Sequence, residues 1–182
     1  SGGGVCITEY GSPIVWGNTI VDNTGSYAGG GMYFGARSSP FVEYNVLMRN
    51  HAGGWGGGGI NSWTSYIYNQ TFATIRNNLI AHNTATDGGG LYCRYDRAVI
   101  TNNLIAYNSA NSGGGMYVLN FPAQAPHVAN SILWENTASN GPQVHLYADT
   151  GSAVSINYCD VEGGWAGTGN IDADPAFVDP DG

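Results

Sequence analysis

NNLIAHNTATDGGGLY, from Asn77 to Tyr92, is followed 25 residues later by NNLIAYNSANSGGGMY, from Asn102 to Tyr117. A near-copy at that interval marks a repeat architecture, and a repeat decides the fold before any single segment does. The same elements recur along the chain. Glycine triplets open at Gly2, Gly29, Gly57, Gly88 and Gly113, and a degenerate one, Gly-Pro-Gln, opens at Gly141; the steps are 27, 28, 31, 25 and 28 residues. An apolar residue follows each: Val5, Met32, Ile60, Leu91, Met116 and Val144. An aliphatic-x-x-Asn unit precedes the next triplet, opening at Ile20, Leu47, Ile80, Ile105 and Leu133, with a weaker copy at Val161. Five residues before each stands a β-branched residue: Val15, Val42, Ile75, Ile100, Val128 and Ile156.

No window carries a helical period. The apolar segments are short, rich in β-formers and separated by Gly, Asn, Ser and Thr, which reads as strands and turns. A unit of this length holds about three short strands. The expected fold is therefore all-β, a single-stranded parallel β-helix of about six coils. Coils stacked about 4.8 Å apart place equivalent residues above one another. One coil cannot bury its apolar face alone, whereas stacked coils can. The three aliphatic series then become three interior columns. Asn23, Asn50, Asn83, Asn108 and Asn136 fall at a bend, where an amide that both donates and accepts can bond the coils on either side. Asn also tolerates the left-handed backbone of a turn. A partial second ladder reads Asn18, Asn45, Asn78, Asn103, ending in Ser131. The domain expectation is coils over 1–162 and a C-terminal cap over 163–182. The chain opens inside a glycine triplet, which points to a piece of a longer protein.

Charge narrows the function. The net charge is −8, only 10% of residues are charged, and there is no lysine; the five cations are Arg37, Arg49, Arg76, Arg94 and Arg97. Nucleic acid is not an expected partner, because phosphate binding needs a basic stripe. No apolar run approaches a membrane span, so insertion is not expected. Cys6, Cys93 and Cys159 have no metal-like spacing and read as three free, buried thiols. His51, His82, His127 and His145 share no metal-ligand spacing and read as structural or solvated.

The pairing of GGGM, GGGI or GGGL with aliphatic-x-x-Asn resembles the right-handed parallel β-helix repeats of bacterial secreted and surface proteins. It is similar to the GGA(I/L/V)/FxxN repeats of chlamydial polymorphic outer-membrane proteins, with Ile or Leu in place of Phe. It looks still more like planctomycete-type β-helix proteins, whose arrays finish with stretches similar to GGWAGTGNIDADPAFVDPDG, Gly163 to Gly182. The resemblance covers essentially the whole chain. It implies a right-handed helix and an extracellular or cell-surface setting. For function it implies little, because this fold hosts lyases, hydrolases, adhesins and inert stalks.

Enzymatic signals are sparse. The Asn-Thr-Asp, Asp-Asp, Gly-His-Gly and Arg-Ile-Lys motifs of polygalacturonases, whose clustered aspartates serve as acid and base, are missing from the sequence. Without lysine, the Lys–Arg chemistry of chondroitinase-like lyases is unsupported. The expectation is a non-catalytic structural or adhesive module, self-stacking end to end or joined to neighbouring coils of its parent. The first alternative is a carbohydrate-binding module, the second a divergent polysaccharide lyase or glycoside hydrolase. No cofactor is required for the leading reading.

Two places are candidates for ligands. Strand side chains alternate, so the residue after each buried aliphatic should point outward: Cys6, Tyr33, Asn61, Tyr92, Tyr117 and His145. Tyr33, Tyr92 and Tyr117, overhung by Trp63 and Tyr66 from the long SWTSYIYNQTFA loop (Ser62 to Ala73), form a stripe on which sugar rings could stack; as plain surface tyrosines they would simply pair along the sheet. Beside it, CRYDRA supplies Arg94, Tyr95, Asp96 and Arg97, either a cleft for an acidic glycan or an exposed Asp96–arginine ion pair of little energetic weight. The second place is the C-terminal acids, Asp172, Asp174, Asp179 and Asp181. They resemble a calcium loop in composition, though not in spacing. As a cap, the segment would use Pro175 and Pro180 to end pairing and Phe177 to cover the last coil.

Overall fold

The computed structural model describes residues 2–64, 71–120, 125–147 and 151–178. They contain no helix. Three six-stranded parallel sheets run the length of the molecule. The first is built of Val5–Ile7, Met32–Phe34, Ile60–Trp63, Leu91–Arg94, Met116–Leu119 and Val144–Leu146. The second takes Ile14–Trp16, Phe41–Glu43, Thr74–Arg76, Val99–Thr101, His127–Ala129 and Ser155–Asn157. The third takes Thr19–Val21, Val46–Met48, Leu79–Ala81, Leu104–Ala106, Ile132–Trp134 and Asp160–Val161. Successive strands in one sheet are one repeat apart in sequence, so each repeat is one rung of a parallel β-helix, six three-stranded rungs among the described residues.

The three aliphatic series face inward. Met32, Ile60, Leu91, Met116, Val42, Ile75, Ile100, Val128, Leu47, Ile80, Ile105 and Leu133 are all wholly buried. Their registers match the repeat: Ile60 pairs with Leu91, Ile75 with Ile100, Ile80 with Ile105. A fourth inward column, not foreseen, comes from the third residue of each first-sheet strand: Ile7, Phe34, Ser62, Cys93, Val118 and Leu146.

Glycine triplets sit where rungs touch through backbone. Gly57 has a φ of +71°, while a Cβ on Gly58 would lie 2.5 Å from the Gly89 carbonyl oxygen of the next rung. The first position therefore needs the left-handed region and the second needs the missing side chain. Pro142 and Gln143 fill the second and third positions only in the sixth rung, whose strand is at the edge of the first sheet.

The asparagine ladder after the third sheet is fully hydrogen-bonded. Asn83 Oδ1 accepts from the backbone N–H and the Nδ2 of Asn50, both at 2.9 Å, and Asn83 Nδ2 donates to Leu47 O at 2.9 Å and Asn108 Oδ1 at 3.0 Å. All four positions of the amide are used, as burial demands. The ladder runs through Asn23, Asn50, Asn83, Asn108 and Asn136, and Asn136 hands on to Gln143 and Glu162. The left-handed residue is not the ladder asparagine but the one before it: Asp22, Arg49, His82, Tyr107 and Glu135 have φ between 48° and 57°.

The second ladder extends beyond Ser131. Ser131 N–H donates to Cys159 Sγ, and Cys159 N–H donates to Asn170 Oδ1 at 3.0 Å. Asn170 Nδ2 reaches back to Ile156 O, as Asn103 Nδ2 reaches Ile75 O. Asn170 thus takes a seventh-rung position after a step of only 11 residues. Within this short return Trp165 packs against the core. Phe177 does not cover the end of the solenoid; it lies on the side, 6.2 Å from the ring of Tyr107 in the fourth rung.

Candidate functional site

The outward column of the first sheet stands in register as Cys6, Tyr33, Asn61, Tyr92, Tyr117 and His145. Neighbouring rings stack. Tyr92 and Tyr117 lie 5.1 Å apart with planes 8° from parallel, and Tyr117 and His145 lie 5.1 Å apart at 28°. Stacking hides them: Tyr92 is 4% and Tyr117 6% exposed, so the open tyrosine stripe expected from alternation does not form there. Tyr92 is also pressed against the Gly56 backbone, where a Cβ would come within 2.5 Å of its ring. Burial pushes its phenol pKa up, against the pull of Arg94.

Where Asn61 interrupts the column, a cleft of about 300 Å³ opens. Tyr33, Asn61 and Tyr92 are its floor. One wall is Tyr27 and Trp55, stacked 6.5 Å apart at 27° and 58% and 63% exposed. The other is Trp63 and Arg94. The Arg94 guanidinium lies 5.3 Å from the Trp63 ring and 5.3 Å from the Tyr95 ring, a cation–π arrangement that fixes the charge at the rim.

Two polar atoms in this cleft are buried without a hydrogen-bond partner: Asn61 Oδ1 and Arg94 Nε. Asn61 is 1% exposed, its Nδ2 donates to Gly56 O at 2.9 Å, and its Oδ1 is buried without a partner. Buried polar atoms are matched in the great majority of proteins, so two unmatched atoms on residues that line one cleft set this place apart from the rest of the outward column. Sequence reasoning missed Tyr27 and Trp55, although both stand two residues before a triplet. It noted Asn61 as outward-facing without seeing that a small residue in an aromatic column makes a gap.

The other candidates are dispersed. Tyr95 supports Arg94 from outside the cleft lining, Arg97 is exposed on the turn beyond, and Tyr66 lies outside the described residues. Asp96 is not part of a solvated ion pair. It is wholly buried, accepting a hydrogen bond from Ser62 Oγ at 2.5 Å, and its Oδ1 has no partner. The corner between first and second sheets carries other buried polar residues, Ser38, Thr64, Thr71 and Asn120, so the chain there packs polar groups inward. Cys93 and Cys159 are buried as expected, whereas Cys6, outward in the first rung, is exposed.

Of the C-terminal acids, Asp172 accepts the Gly163 N–H and Asp174 accepts the Ala176 N–H, both organising local turns. Asp179 and Asp181 lie outside the described residues. Among the described residues no three His, Cys, Asp or Glu side chains gather in a metal-holding group.

A family model described as "right handed beta helix region" matches residues 58–173. Neither a curated protein nor a solved structure matches the chain. The match spans the third to sixth rungs and the short return that follows, the same stretch in which strands, glycine triplets and asparagine ladders stand in register. The chain belongs to the right-handed parallel β-helix family.

Proposed function

We propose that this β-helix is a non-catalytic binding module of a secreted or cell-surface protein, and that the first-sheet cleft holds a saccharide. A structural or binding scaffold is what the fold supports in general. The observation that carries the specific reading is the cleft itself, aromatic on its floor and both walls, with Asn61 Oδ1 and Arg94 Nε buried and unmatched. Sugar rings present apolar C–H faces that stack on aromatic side chains and hydroxyls that must find partners. Apolar walls with a few placed polar groups are the general design of small-ligand sites, and about 300 Å³ is at their lower end. Arg94 favours a saccharide carrying a carboxylate or sulfate. The solenoid is rigid, so the walls are held in place before binding and little ordering cost remains.

The test is titration against a panel of neutral and acidic polysaccharides and oligosaccharides, with calcium and with chelator. Saturable binding, weakened at least tenfold by Trp63→Ala and by Trp55→Ala without a change in melting temperature, is expected. Absence of binding across the panel would overturn the reading, and release of reducing or unsaturated ends would turn it into an enzyme.

A further inference from the structure

Asn140–Gly141 is the one Asn-Gly step in the chain, and it opens the sixth rung at the degenerate triplet. In the four triplets from Gly29 to Gly113 the amide of the first glycine is tied to the next rung. Gly29 N–H donates to Gly56 O at 3.1 Å, Gly57 N–H to Asp87 O at 3.0 Å, Gly88 N–H to Ser112 O at 2.9 Å and Gly113 N–H to Asn140 O at 2.9 Å. Gly141 N–H has no such bond among the described residues, because Val144–Leu146 is the edge of the first sheet and the short return adds no strand to it. An edge leaves backbone N–H groups open. Asn140 is held through its backbone: its N–H donates to Asn111 O at 3.2 Å, and its carbonyl accepts from Gly113. The residue is exposed, and its side chain makes no hydrogen bond among the described residues.

A free amide nitrogen on a residue without a Cβ, next to an untied carboxamide, can close on that carboxamide. We infer that Asn140–Gly141 is a site of spontaneous deamidation. The Gly141 nitrogen gives up its proton and bonds to Asn140 Cγ; the Cγ–Nδ2 bond breaks and ammonia leaves, giving a cyclic succinimide. Water then opens the ring. Opening at Cγ gives aspartate, and opening at the main-chain carbonyl carbon gives isoaspartate, in which the chain runs through Cβ and Cγ. The ladder asparagines are barred from this chemistry. The amides of Asn50, Asn83 and Asn108 are fixed by the neighbouring rungs, and the nitrogens that would attack them, on His51, Thr84 and Ser109, donate to Asn23 O, Asn50 O and Asn83 O. The two products at Asn140 differ in effect. Aspartate keeps the backbone and the register of the sixth rung. Isoaspartate converts the carbonyl that Gly113 uses into a free carboxylate and lengthens the chain ahead of Gln143 O, which accepts from Met116 N–H at 3.0 Å. The last strand of the first sheet then loses its register with the fifth rung.

The experiment ages the folded protein in warm, mildly alkaline heavy-oxygen water, with a parallel sample unfolded in guanidinium, and maps the label by mass spectrometry. In the folded chain Asn140 is expected to take up label faster than any other asparagine, as both aspartate and isoaspartate, at a rate within tenfold of the unfolded sample. Protection of Asn140 by more than tenfold on folding, or a faster reaction at another asparagine, overturns the proposal. Hydrogen exchange tests the nitrogen directly: Gly141 N–H should exchange at least tenfold faster than Gly113 N–H, and equal protection of the two overturns the proposal. Asn140→Gln, a change to an exposed side chain, should keep the wild-type melting temperature and lower ammonia release from the folded protein at least tenfold. Undiminished release from that variant also overturns the proposal. Should that variant not fold, labelling and exchange of the wild-type protein decide.

Discussion

Ser62 Oγ donates a hydrogen bond to Asp96 Oδ2 at 2.5 Å inside the solenoid, one rung apart and out of reach of water. Burial raises the carboxyl pKa from 3.8 to about 7, against the opposing pull of Ser62 and the Ala73 backbone. The fold therefore prefers the neutral acid. A carboxyl whose pKa is raised on folding contributes stability that is complete below its unfolded value, near 4, and is lost as pH rises through about 7. This is opposite to the usual carboxylate. A shift of this size corresponds to roughly 4 kcal/mol.

Asp96→Asn keeps the shape and removes the charge. Its urea midpoint should exceed that of the wild type at pH 8, and the gap should narrow toward pH 4.5. Parallel stability curves for the two proteins across this range would show that Asp96 does not titrate as described.

Asn83 uses both lone pairs and both amide protons on rungs either side of it. Truncation to alanine leaves two donors on Asn50, the Leu47 carbonyl and the Asn108 amide short of a partner. Unmatched buried groups cost about 1–3 kcal/mol each, so Asn83→Ala should lose at least about 3 kcal/mol. Asn18 is exposed and stands at the first rung of its ladder. Asn18→Ala should cost about 1 kcal/mol or less. Chemical denaturation of both variants checks the ratio, and equal losses would mean that ladder bonds contribute alike whether or not water can replace them.

The interior columns and the first ladder were legible because a repeat repeats its buried positions: Ile60, Leu91 and Met116 are spaced by the rung, and so are Ile75, Ile100 and Val128, and Asn83, Asn108 and Asn136. The end of the second ladder was not. Read from the sequence it ends at Ser131, but Cys159 carries it on through sulfur, and Asn170 arrives after 11 residues instead of a full coil. Asp96 was misplaced for a different reason. Charge and turn propensity read as exposure, but at this corner the backbone carries Asp96 inward, in register with buried Thr71. For the cleft, alternation correctly sent Tyr33, Tyr92 and Tyr117 outward. It could not show that Tyr117 is sealed between Tyr92 and His145 while Asn61 opens a gap, because solvent access depends on ring stacking across rungs.

The three cysteines differ in reach. Cys6 is exposed, whereas burial pushes the thiols of Cys93 and Cys159 above their ordinary range, Cys93 well above because it is wholly buried. Thiolate is the reactive form, so the buried pair should be inert in the native state. A colorimetric thiol assay should titrate one cysteine in the folded protein and three in denaturant. A second fast-reacting thiol without denaturant would show that one of the buried positions opens.

Two glycines separate steric crowding from backbone strain. At Gly58 a new Cβ would meet Gly89 O of the next rung at 2.5 Å and Thr84 O at the end of its own rung at 2.6 Å, both backbone atoms. Neither can move without breaking rung stacking, so Gly58→Ala should cost about 3 kcal/mol, the upper end of overpacking penalties. Gly163 has a φ of +79°, but a Cβ added there would have nothing within 4 Å. Gly163→Ala meets only the left-handed penalty, about 1 kcal/mol. Melting and denaturant midpoints of the two variants should therefore differ clearly. If Gly163→Ala proved as damaging as Gly58→Ala, backbone conformation rather than rung contact would be what the glycines protect.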